Sequence, residues 1–161
     1  PDKPWAIHGD AEDENRLITS INLEPELLEK HNLHLQEKYA EITRNEIRFE
    51  DYHTEDAELV IIAYGVVSRI VQSTVDDMRA AGKKVGMMRP ISLWPFPSAH
   101  INELGDHARQ FLVVELSNGQ MVDDVRLALN GKRPVHLHNR MGGMVPSPEE
   151  VQERALKIVE G

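Results

Sequence analysis

The sequence predicts an α/β fold: a three-layer α/β/α domain with a mostly parallel sheet, preceded by a helical arm. Three observations predict it. Four short apolar runs, ELVIIAY, KVGMMR, QFLVVEL and PVHLHNR, recur along the chain, and a segment of helical period follows each. The runs are continuously apolar rather than alternating, the pattern of strands covered on both faces and hence of a parallel sheet. The segment after each of the first three is long enough for a right-handed crossover helix.

The elements follow in order. Residues 1–24 are polar and irregular, and the charged run HGDAEDENRL reads as a solvated loop. Pro25 suits a first helical turn. Leu28, Leu35, Tyr39 and Ile42 then mark one apolar face of a long helix whose other face is charged. Residues 1–54 are therefore expected to be a linker and amphipathic arm helix, and 55–161 the α/β domain. After the first run, Val71, Val75 and Met78 line one helical face, with Gly82 as the residue just past the helix end. After the second, a helix carrying Ile101 and Leu104 is expected from about Pro97 to Ala108. After the third, Val122, Val125 and Leu129 share a face, and Asn130-Gly131 ends the helix. The fourth run is the least apolar and is expected near a sheet edge. Ser147, Pro148 and Glu150 announce the last helix, as a capping box with proline at the first position. Val151, Ala155, Ile158 and Val159 form its apolar stripe.

Bulk properties exclude several functions. With no cysteine, these 161 residues offer no disulfide framework, thiolate nucleophile or cysteine-held cluster. The net charge of −9 argues against broad contact with nucleic acid or anionic lipid. No apolar run approaches the roughly 18 residues of a membrane span, and no signal peptide opens the chain. Pro1-Asp2-Lys3-Pro4 reads as the middle of a longer protein. A cytoplasmic location is expected.

In open α/β sheets, ligands and partners meet the carboxyl ends of the strands. Four loops qualify, carrying Tyr64, Gly65 and Ser68; Arg89 and ISLWPFP; Glu115 to Gln120; and His138 to Pro148. The single glycine of AYGVVSR is not a dinucleotide fingerprint, and no Walker loop is present. A helix N-terminus at Gly65 or Gly119 still suits a phosphate-bearing ligand, so a free-standing doubly wound binding module is the alternative reading. His136 and His138 share a strand face and would hold zinc given a third ligand; otherwise they pair with polar neighbours. His31 and His34 read as a solvated helix face. Ser68 reads as capping or opening a helix, and Glu115 as an ion-pair partner of Arg89 or Arg140. No nucleophile elbow or catalytic constellation forms. Trp94, Phe96, Met141, Met144 and Val145 are large apolar groups in loops beside arginine, the composition of an interface core. The prolines of VGMMRPISLWPFP would hold Trp94 and Phe96 in place at low entropic cost.

AELVIIAYGVVSRI, GKKVGMMRPISLWPFP, FLVVELSNGQMVDDVR and RMGGMVPSPEEV resemble the C-terminal part of the α subunit of 2-oxoacid:ferredoxin oxidoreductases, of the branch acting on 2-oxoglutarate or 2-ketoisovalerate. PDKPWAIHGD and LEPELLEKHNLHLQEKY resemble the preceding linker. The resemblance implies a transketolase C-terminal-like domain with five strands, the fifth around Ile47–Tyr52. It implies an enzyme that uses thiamine diphosphate, Mg2+ and iron–sulfur clusters, converting a 2-oxoacid and coenzyme A to an acyl-CoA with reduction of ferredoxin. Those cofactors would sit on other domains or chains. The implied partners are the enzyme's own pyrimidine-binding domain and the β and γ subunits, with a homodimer as a further arrangement. This region would complete a subunit interface near the active site without itself catalysing. Arg89, Trp94, Phe96, Glu115, Asn118, Gly119, Gln120, Arg140, Gly142 and Gly143 are the candidate interface positions, and none is a catalytic, cofactor-binding or metal-binding residue.

Overall fold

The computed structural model describes Asp2, Lys3, Ala6, Gly9 and residues 21–161, so Trp5 and the charged run at 8–17 lie outside the described residues, Gly9 apart. The chain divides into two compact units, Pro1–Glu41 and Ile42–Gly161. Helix α1, Pro25–Asn45, begins at the expected proline and has no buried residue.

A five-stranded sheet of order β1-β3-β2-β4-β5 organises the second unit. Its strands are β1 (Phe49–Tyr52), β2 (Leu59–Ile62), β3 (Val85–Pro90), β4 (Gln110–Glu115) and β5 (Val135–Asn139). Strands β2 to β5 run parallel. The expected fifth strand is β1, which pairs antiparallel with β3, Phe49 opposite Pro90 and Tyr52 opposite Met87. The sheet therefore starts at Phe49, ahead of residue 55. The weakly apolar β5 is an edge strand, half-buried at every position, whereas β2 is buried throughout.

Alternation along each strand divides the core between two faces. Ile61, Met87, Leu112 and Val114 pack on one side with Val71, Val75 and Met78 of α2 (Gly65–Ala80) and with Val151, Ala155 and Ile158 of α5 (Pro148–Glu160). Val60, Ile62, Met88, Phe111 and Val113 pack on the other with Ile101 of α3 (Ser98–Leu104) and with Val122, Val125 and Leu129 of α4 (Met121–Leu129). Burying each such side chain contributes about 1.5–3 kcal/mol.

Three helix ends follow the expected chemistry. Gly82 takes a φ of +78° just past α2, Asn130 is left-handed at φ +47° after α4, and Ser147 with Glu150 closes the capping box of α5. The helix expected over 97–108 is shorter. It stops at Leu104, because Gly105 favours helix poorly and the next amides turn back tightly, Asp106 N–H to the Glu103 carbonyl and His107 N–H to that of Leu104. Ser68 is not a cap. It lies buried within α2 and donates to the Gly65 carbonyl at 2.7 Å.

Candidate functional site: the carboxyl edge of the sheet

Strand β2 has β3 on one side and β4 on the other, so the strand order reverses beside it. The crevice at this reversal is where open α/β sheets place ligands. Here Tyr64, Gly65, Val66, Val67 and Leu116 line a cleft of about 110 Å³, below the several hundred Å³ of a typical ligand pocket.

The loops around this crevice carry most of the exposed apolar surface of residues 42–161. Val66 follows β2; Ile91, Leu93 and Trp94 follow β3; Leu116 follows β4; Met141, Met144 and Val145 follow β5. Trp94 is 60% exposed. Phe49, also exposed, pairs with Pro90 at this same end and stacks on His100 with ring centres 3.9 Å apart. Among the large apolar side chains of this unit, only Leu127 is exposed away from the edge. The two aromatics of the SLWPFP loop separate: Trp94 faces out, while Phe96 is half-buried against the core beneath α3 and α4. Pro90, Pro95 and Pro97 are buried around them, and the Trp94–Pro95 bond is cis.

Unpaired polar atoms gather at the same edge. Among the described residues, the buried side-chain atoms without a hydrogen-bond partner are Arg89 Nε, Glu115 Oε1, Ser117 Oγ, His138 Nε2 and Arg140 Nε. Each belongs to the last two residues of a strand or to the loop after it. A buried unpaired polar group costs about 1–3 kcal/mol, so five at one end call for an explanation.

The expected Glu115 ion pair does not form. Glu115 lies on the same sheet face as Phe111 and Val113, toward α4, and its Oε2 accepts from the Met121 amide at 2.8 Å. Arg89 shares the parity of Met87 on the opposite face and binds Glu50 at 3.0 Å, while Arg140 binds Glu150 of α5. Glu115 thus secures the start of α4 and with it the loop of Asn118, Gly119 and Gln120. Gly119, expected at the helix start, stands two residues before it at φ +97°, and Gly142 and Gly143 also have positive φ, at +64° and +86°.

His136 and His138 do share a face. His136 Nε2 bonds Gln110 Oε1 at 2.8 Å, and among the described residues no group of three His, Cys, Asp or Glu is placed to hold a metal. Burial holds both imidazoles below their ordinary pKa; Arg154 pushes both the same way, and on His138 Glu150 opposes while Arg140 assists. His31 and His34 are exposed. No helix among the described residues is long and apolar enough to cross a membrane. Sequence reasoning missed Val66, Leu116 and Arg69 at this edge; the available signal was that Val66 and Arg69 fall outside the apolar stripe of α2.

The comparisons with known proteins agree with the resemblance. Residues 57–151 match the pyruvate:ferredoxin oxidoreductase core domain II. The ketoisovalerate oxidoreductase subunit VorB of Methanothermobacter thermautotrophicus is 48% identical over 158 residues, covering 98% of this chain and 45% of that protein. This chain thus spans less than half the length of that relative. Among solved structures, the 2-oxoglutarate:ferredoxin oxidoreductase of Magnetococcus marinus superposes with a TM-score of 0.71 at 24% identity, over 84% of this chain and 24% of that one. A split-gene transketolase superposes at 0.61 and 15% identity, over 70% and 41%. At those identities both show the fold alone, a transketolase-like α/β architecture.

Proposed function

This chain belongs to the pyruvate:ferredoxin oxidoreductase core domain II family, and on that premise we propose that it is the non-catalytic assembly domain of a 2-oxoacid:ferredoxin oxidoreductase. The parent enzyme would convert a 2-oxoacid and coenzyme A to an acyl-CoA and CO2, the two electrons released passing to ferredoxin. The identity to a ketoisovalerate oxidoreductase subunit favours a branched 2-oxoacid. Residues 1–54 serve as linker and arm, and 55–161 form the docking body, to which β1 adds its edge strand. Thiamine diphosphate, Mg2+ and the iron–sulfur clusters belong to other domains or subunits. The donor set here does not fit them: the chain has no cysteine, and the described residues contain no carboxylate and histidine cluster for a diphosphate-bound ion.

One observation carries the reading: exposed apolar side chains and buried unpaired polar atoms coincide at the carboxyl edge. Exposed apolar patches mark interaction sites, and polar atoms left buried and unpaired just beneath the same edge set it apart from the rest of the domain. Arg89, Trp94, Glu115, Asn118, Gly119, Gln120, Arg140, Gly142 and Gly143 shape this face, and Phe96 props it from beneath. The occupant is the pyrimidine-binding domain or a β or γ subunit of the same enzyme, with a homodimer as the competing arrangement.

The test is made in the assembled oxidoreductase. Leu93→Asp combined with Trp94→Asp is expected to abolish co-purification of the other subunits while this domain stays folded. An intact complex carrying both substitutions would overturn the proposal.

A further inference from the structure

Beside the switch-point crevice, Gly65, Val66, Arg69 and Arg89 line a second and larger cleft of about 310 Å³. It lies on the α2 face of the sheet, and its composition is unlike that of the apolar rim around it. Two guanidinium groups come from different elements, Arg69 from the second turn of α2 and Arg89 from the end of β3. They converge in a chain whose net charge is −9.

Neither arginine is fully engaged. Arg69 is exposed and takes part in none of the ion pairs among the described residues. Arg89 gives one terminal nitrogen to Glu50 at 3.0 Å, and its Nε is buried without a partner. The N-terminus of the 16-residue α2 opens onto the same cleft through Gly65 and Val66, and its N-cap residue, Tyr64, makes no side-chain capping bond. The first amides of that helix are therefore donors without a side-chain acceptor. Gly65 has φ +60°, and a Cβ there would meet nothing within 4 Å, so the space in front of the helix is open.

We propose that the Arg69–Arg89 cleft binds the phosphate group of a small phosphate-bearing molecule. A phosphate has three acceptor oxygens and up to two negative charges, which the Arg69 guanidinium, the remaining terminal nitrogen of Arg89 and a helix N-terminus match. A carboxylate, with two oxygens and one charge, leaves more of these donors unused. The site shares Val66 and Arg89 with the docking face, but Arg69 belongs to it alone, and the Leu93 and Trp94 substitutions that test docking lie outside the cleft, so either proposal can fail without the other.

Inorganic pyrophosphate titrated into the 161-residue chain at low ionic strength, followed by calorimetry, tests the site. Saturable one-to-one binding is expected, weakened at least about tenfold by Arg69→Gln or Arg89→Gln, since each removes a charge-assisted contact. Arg69→Gln lies on an exposed helix position and leaves the fold intact, which keeps the test valid if Arg89→Gln disturbs β1. Arg126→Gln, on the exposed side of α4, is expected to bind as the parent does. Citrate is expected to bind more weakly than pyrophosphate. Absence of saturable pyrophosphate binding, binding unchanged by Arg69→Gln, or tighter binding of citrate would each overturn the assignment.

Discussion

The two ends of the sheet are finished differently. At the amino end, the loops entering the strands are stitched down. Arg79 reaches the carbonyls of Val85 and His53 and the carboxylate of Asp56, each at 2.7 Å. Gln110 donates to the Ile158 carbonyl at 2.9 Å, and Arg133 to that of Gly105 at 2.8 Å. No large apolar side chain is exposed in loops 53–58, 81–84, 105–109 or 130–134. At the carboxyl end, apolar groups face outward and polar atoms are left unpaired. Within one domain of one sequence, the amino end is finished against water, whereas the carboxyl end keeps surface that water satisfies poorly. That contrast supports the proposed docking face more sharply than any motif does.

Substitutions at the two ends measure the contrast. The largest effect is expected at Gly86, where an added Cβ would lie 2.3 Å from the His53 carbonyl oxygen. Backbone cannot yield as a side-chain tip can, so Gly86→Ala should lower unfolding free energy by about 3 kcal/mol in urea melts. A loss below about 1 kcal/mol would show that the amino end is looser than described. Arg79→Ala leaves the Val85 and His53 carbonyls without their donor and should cost about 2 kcal/mol.

A smaller effect is expected from pH. Burial depresses His136 and His138 in the folded state, so the unfolded chain takes up protons first as pH falls. Their contribution is complete above the unfolded value of about 6.5 and is lost as pH drops from there toward the lower folded values. Thermal midpoints should fall across that window, and the His136→Gln/His138→Gln double variant should flatten the slope. The smallest effect on the isolated chain is expected from Trp94→Ala, within about 1 kcal/mol, because Trp94 is largely exposed. A loss of several kcal/mol there would make the rim part of the chain's own core and would dissolve the contrast.

The fold was legible where one physical signal acted alone. Continuous apolar runs placed β2 to β5, and Ser147-Pro148-Glu150 placed the start of α5, because burial on both faces and capping are local demands. The end of α3 was misplaced: Ala108 continues the apolar pattern, but the helix stops before Gly105, which lies so close to Leu129 of α4 that a Cβ there would be 2.9 Å from it, a proximity invisible in the sequence. The edge could be located from strand polarity, but its internal pairing could not. Glu115, Arg89 and Arg140 are close in the loop order, yet strand alternation puts Glu115 on one sheet face and both arginines on the other. Phe96 and Trp94 are two residues apart in one motif, and only the path of the loop decides that one turns inward and the other outward.

Hydroxyl-radical footprinting tests the central claim most directly, comparing Trp94, Met141 and Met144 in the isolated 161-residue chain and in the proposed oxidoreductase assembly. All three are expected to oxidise readily in the chain alone and to be strongly protected in the complex. Equal reactivity in both states would contradict the account, because the carboxyl edge would then face solvent in the working enzyme.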